Sequence, residues 1–140
     1  MNCVGRKQVE RVIEFKNEGY NCAESIIKAF NEQTGLDIPV SIASPFGSGM
    51  SVRGTCGAIT GTLMAVGSLK GRNTSQENNN SRTLTKELIT KVKEKYGTLE
   101  CIELKRKGVT CEEIIKYAYG FVKEEIKWNF SGGVLYSSWI

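Results

Sequence analysis

Histidine is absent from this 140-residue chain, and its absence closes several chemical routes at once. Ser–His and Cys–His dyads are excluded, and with them the hydrolytic mechanisms that need an imidazole base. Any metal site the chain makes alone must be all-thiolate or use carboxylates. Long apolar runs are also missing: the longest, from Ile59 to Leu69, is too short for a bilayer and is broken by Gly61 and Gly67. No secretory signal is visible, because the N-terminus (Arg6, Lys7, Glu10, Arg11) is polar. The expected location is therefore the cytoplasm. There is no Cys-x-x-Cys pair, and outside the last residues there is no strand-like alternation. The glycine-rich stretch over residues 45–54 lacks the Lys-Ser/Thr ending of a phosphate loop and follows no strand.

Charge does not name a partner either. The net charge is +4, and the densest basic run, Lys105-Arg106-Lys107, has no interleaved aromatic residue. It reads as a solvated surface, not a nucleic-acid site. With 40% hydrophobic and 24% charged residues, the chain has the composition of one ordinary globular domain with its own core.

What the chain does have is cysteine, five in all, and four of them fall where helices should begin. Asn21-Cys22-Ala23-Glu24 and Thr110-Cys111-Glu112-Glu113 each read as a capping box with Cys at the first helical position. Thr55-Cys56 opens an apolar run in the same way, and Thr98-Leu99-Glu100-Cys101 places a fourth Cys in a first turn. The positive end of a helix favours an anion, so thiols there should ionise more readily than free ones. Core packing is the plain alternative, since free Cys is often buried and Cys22 and Cys111 lie on apolar stripes. Burial, however, gives no preference for the first turn.

Helical periodicity dominates the rest. Val9, Val12, Ile13 and Phe15 mark a first segment, Cys22 to Phe30 a second closed by Gly35, and a short helix is expected near Pro39. The segment from Cys56 to Leu69 is apolar nearly all round and reads as the buried central helix, with Gly57, Gly61 and Ala65 forming one smooth face. Leu84 to Tyr96 and Cys111 to Ile126 supply further amphipathic helices. The expected fold is all-α, a compact single-domain bundle of about five helices. Its helical four-cysteine part spans residues 1–127. An aromatic tail over residues 128–140 packs across the bundle or docks on a second copy, giving a homo-oligomer.

Two chemistries suit the cysteines. Cys22, Cys56, Cys101 and Cys111 could together ligate an iron–sulfur cluster or zinc. Alternatively, two pairs could cycle between dithiol and disulfide with a redox partner. A structural zinc or helical interaction module without turnover is the competing function. Arg53, three residues before Cys56, offers a positive charge to a thiolate, and Gly47, Gly49 and Gly57 would let backbone approach the Cys56 site. Cys3 stands apart.

These residues resemble the C_GCAxxG_C_C family of small redox-active proteins. The resemblance rests on Gly19-Tyr20-Asn21-Cys22-Ala23-Glu24, Phe46-Gly47-Ser48-Gly49, Cys56-Gly57-Ala58-Ile59-Thr60-Gly61, Tyr96-Gly97-Thr98-Leu99-Glu100-Cys101 and Cys111. It implies a site at Cys22, Cys56, Cys101 and Cys111. A similar module in the split-Soret cytochromes, where an iron–sulfur cluster has been proposed, implies that cofactor here. Haem does not carry over, because this chain has no Cys-x-x-Cys-His sequence. Ser48 and Ser51-Val52 depart from the more glycine-rich loop usual in the family.

Overall fold

Six α-helices form where the apolar periodicity runs: α1 (Asn2–Asn17), α2 (Cys22–Thr34), α3 (Gly57–Lys70), α4 (Ser81–Tyr96), α5 (Cys101–Arg106) and α6 (Cys111–Phe130). The computed structural model describes residues 2–130, with side chains over residues 9–126. The Cys3 thiol and residues 131–140 of the aromatic tail lie outside those limits, and so does the tail's docking on a second copy. The first three tail residues continue α6 without a break. Among the described residues there is no strand, only one isolated bridge between Thr55 and Glu100. No helix among them is long and apolar enough to cross a membrane.

Local chemistry fixes most boundaries. Asn21 accepts the Glu24 amide (2.8 Å) and Glu24 returns the bond to the Asn21 amide (2.9 Å), the reciprocal box expected from the sequence. Gly35 and Gly97 end α2 and α4 in the left-handed region, at φ 78° and 79°, where a side chain would be strained. The short helix expected near Pro39 is a 3-10 segment, Val40–Phe46.

The sequence reading erred at two helix starts, those of α3 and α6, while Cys101 lies in the first turn of α5 as expected. Cys56 is the N-cap of α3, not its first helical residue: its backbone is extended (φ −59°, ψ 136°) while its carbonyl accepts from Ile59 and Thr60. At α6 the amide of Glu113 donates to Thr110 (3.0 Å), but the Glu113 carboxylate accepts from the Tyr96 hydroxyl (3.2 Å). The competing phenol draws it off the return bond. At α5 the N-cap is Glu100, without a side-chain cap, and Thr98 accepts the Glu100 amide.

α3 is the central helix, packed on α2, α6 and α4. Its contact with α2 is close because glycine faces backbone. A Cβ on Gly61 would stand 2.9 Å from the Ala23 Cα and 3.1 Å from its carbonyl oxygen. Around this contact lie the fully buried Ile26, Phe30, Ile59, Val66, Ile115 and Tyr119. Tyr119 keeps its hydroxyl satisfied by donating to Gln33 at 2.7 Å, as a buried phenol must.

Candidate functional site

The four cysteines reach a common neighbourhood because four helix starts do. The beginnings of α2 and α3 meet across Gly57, where a Cβ would stand 2.8 Å from the Phe46 carbonyl oxygen and 3.4 Å from the Cys22 Cβ. Only glycine lets Cys56 come so near Cys22. Gly47 has the matching role one layer out, since a Cβ there would run into the Asn21 side chain at 2.4 Å. The Asn21 amide also donates to Ser44 (3.1 Å), and Ser44 donates to Glu24 (2.6 Å), tying the 3-10 segment to the start of α2.

Cys56 and Cys101 are linked by backbone. Cys56 N–H donates to Leu99 (2.9 Å) and Cys101 N–H donates to Gly54 (2.6 Å), on either side of the Thr55–Glu100 bridge. Immediately before that bridge the chain makes an unusual turn. Ser48, Gly49, Met50, Ser51 and Arg53 all have positive φ, between 52° and 65°. The Gly54 amide closes the turn on the Gly49 carbonyl (2.8 Å). Left-handed backbone costs a non-glycine residue roughly 1–2 kcal/mol, so this turn stores strain beside the cysteines. Gly49 is required there, because a Cβ would lie 2.5 Å from Gly54 backbone atoms.

All four cysteines are free thiols. Cys22, Cys56 and Cys101 are buried, and Cys111 is half-buried. The thiols of Cys22 and Cys111 act on each other more strongly than any other group acts on either, and the interaction divides their protons unequally. Cys22 is held protonated far above the ordinary thiol range, first by its interaction with Cys111 and then by burial. Cys111 is pulled down to about 5, first by the Cys22 thiol; burial opposes this, and Lys16 and Lys105 help it. The pair therefore carries one proton and one negative charge over a wide pH range. Burial raises Cys56, against the amides of Ala58 and Ile59, and the neighbouring Cys101 and Cys111 raise it further.

Helix ends alone therefore do not set thiol acidity, contrary to the simple dipole argument. Cys22 and Cys111 both open helices and shift in opposite directions. The cations acting on Cys111 are Lys16, in the last turn of α1, and Lys105, in the last turn of α5. Sequence reasoning missed both, although their positions at helix C-termini, where basic residues are favoured, were visible. It pointed instead to Arg53, which is exposed on the left-handed turn. Gly47, Gly49 and Gly57, expected to bring backbone to a cofactor, here make room for protein atoms.

Among the described residues no three Cys, Asp or Glu side chains stand together as a group that could hold an ion.

No curated protein and no solved structure matches the chain. Residues 20–125 match the family described as "Putative redox-active protein (C_GCAxxG_C_C)", a span that contains all four cysteines and five of the six helices, α6 up to residue 125. The chain belongs to this C_GCAxxG_C_C family of redox-active proteins.

Proposed function

We propose that the protein exchanges disulfides through Cys22 and Cys111, with Cys111 as the attacking sulfur and Cys22 as the resolving one. What carries this reading is the pairing of a half-buried Cys111 with a buried Cys22, both free thiols, in which the interaction lowers the accessible thiol's pKa and raises the buried one's. Thiolate is the nucleophile in exchange. Cys111 attacks one sulfur of an external disulfide. A Cys111–sulfur bond forms, the external bond breaks, and its second sulfur leaves with the electron pair. Cys22 then loses its proton and attacks the Cys111 sulfur. The Cys22–Cys111 bond forms and the first external sulfur leaves as a thiol. Two electrons have passed from the protein to the external disulfide, which is reduced to two thiols.

Lys16 and Lys105 hold the charge on Cys111 before attack. The iron–sulfur and zinc readings remain tied to the convergence of four thiols, and need at least three of them in ligand positions. One preparation separates these chemistries. The reduced protein, purified without oxygen, is analysed for iron, sulfide and zinc and then titrated with 2-hydroxyethyl disulfide. Exchange predicts a Cys22–Cys111 disulfide by peptide mapping, lost in Cys111→Ser. Stoichiometric iron and sulfide would overturn the exchange reading in favour of a cluster, and stoichiometric zinc without exchange would favour a structural site.

A further inference from the structure

Exchange at Cys111 leaves two thiols without a role. Cys56 and Cys101 are 6% and 9% exposed, too little for direct attack on an external disulfide. Their backbones are nevertheless tied together across one bridge. Side chains alternate between the two sides of a paired backbone. Cys56 and Cys101 each follow a bridge partner by one residue, which puts both on the same side of the Thr55–Glu100 bridge as diagonal neighbours, Cys56 opposite Leu99 and Cys101 opposite Gly54. The two backbone bonds at that bridge pin them there. Cys56 also stands where the starts of α2 and α3 meet, since a Cβ on the adjacent Gly57 would lie 3.4 Å from the Cys22 Cβ, and the charges of Cys101 and Cys111 both act on it. A buried dithiol thus adjoins the surface dithiol, with Cys56 between them.

We propose that the protein relays oxidation inward: the Cys22–Cys111 disulfide is passed through Cys56 to a Cys56–Cys101 disulfide, an internal store for a second electron pair. The inference rests on the exchange assigned above to Cys22 and Cys111. Cys56 gives up its proton and attacks the Cys22 sulfur. The Cys22–Cys56 bond forms, the Cys22–Cys111 bond breaks, and Cys111 leaves with the electron pair as a thiolate. Cys101 then gives up its proton and attacks the Cys56 sulfur, forming Cys56–Cys101 and releasing Cys22, which takes up a proton. The inner pair is oxidised by two electrons and the outer pair reduced by two. The only oxidant consumed is the external disulfide that first oxidised the outer pair. That pair is then free to react again, so one molecule takes up two equivalents.

The test uses the full reduced chain mixed with excess 2-hydroxyethyl disulfide, quenched in acid at intervals, alkylated and mapped by mass spectrometry. The Cys22–Cys111 disulfide should appear first and Cys56–Cys101 later. In Cys111→Ser, formation of Cys56–Cys101 should slow at least tenfold. In Cys56→Ser, Cys22–Cys111 should still form while Cys101 stays reduced. Unfolding of the Cys111→Ser variant would expose the inner pair and speed its oxidation, so a slower rate cannot come from that source. Circular dichroism identifies an unfolded variant, and the order of appearance in the parent chain then decides alone. Equal rates in the parent and a folded Cys111→Ser overturn the relay, as does Cys56–Cys101 appearing first. If Cys22–Cys111 forms and Cys56–Cys101 never does, the relay fails and surface exchange stands. If Cys22–Cys111 does not form, both fail.

Discussion

Cys22 and Cys111 each open a helix, yet one keeps its proton and the other releases it. The asymmetry comes first from their interaction with each other and then from the deeper burial of Cys22; Lys105 acts on Cys111 alone, whereas Lys16 acts on both. Alkylation by iodoacetamide, followed peptide by peptide, should therefore show Cys111 reacting with a midpoint near pH 5, while Cys22 stays unreactive well into the alkaline range. Replacing Cys22 with Ala removes the largest cause, and the Cys111 midpoint should move up toward the ordinary thiol range. An unmoved midpoint would mean that Cys22 is not what ionises Cys111.

The same shifts make stability depend on pH. Native Cys111 loses its proton at about 5, whereas the unfolded chain holds it up to the ordinary thiol range. Between those limits the unfolded state binds more protons, so this contribution is present above the ordinary range and is lost as pH falls through about 5. Cys22 works the other way: its native pKa is raised, so its contribution is full below the ordinary range and declines above it. The urea midpoint of the reduced protein, minus that of a Cys22→Ala/Cys111→Ala variant, should rise from about pH 5 to about pH 8 and fall above about pH 9. A flat difference would show that the pair titrates alike in both states.

At the scale of elements, the site depends on how closely α2 and α3 approach. Gly61→Ala places a methyl 2.9 Å from the Ala23 Cα, a backbone atom that cannot swing aside. It should cost about 1–3 kcal/mol by urea unfolding and should loosen the Cys22–Cys111 pairing, seen as a higher Cys111 alkylation midpoint. A variant as stable as the parent would show that the helices part without penalty. The Asn21 cap tests the same contact from the other side. Asn21→Ala removes the acceptor for the Glu24 amide and should cost about 1 kcal/mol.

Over the whole molecule, the Cys22–Cys111 pair joins the start of α2 to the start of α6, enclosing most of the described chain. Closing so long a loop restricts the unfolded state, typically by about 2–4 kcal/mol. In a Cys56→Ser/Cys101→Ser background the oxidised protein should therefore melt well above the reduced one in a calorimeter. A lower melting temperature after oxidation would mean that disulfide geometry is not accessible without distorting the bundle.

Much of this was determined by the sequence alone. Apolar periodicity identified α1, α2, α3, α4 and α6, Asn21 and Glu24 the start of α2, Gly35 and Gly97 the ends of α2 and α4, and the apolar stretch after Cys56 the central helix. These signals are local, set by 3.6-residue spacing and by hydrogen bonds within one turn. The order and context of the cysteines likewise carried the family. Which cysteine meets which was not legible, because Cys22 and Cys111 are brought together by the packing of α2 and α6 around α3. Nor was Lys16 or Lys105 legible as a partner of Cys111: each lies on a different helix from it, and only the tertiary structure turns those helix ends toward one sulfur. Ionisation depends on distance through space and on burial, and neither exists until the chain has folded.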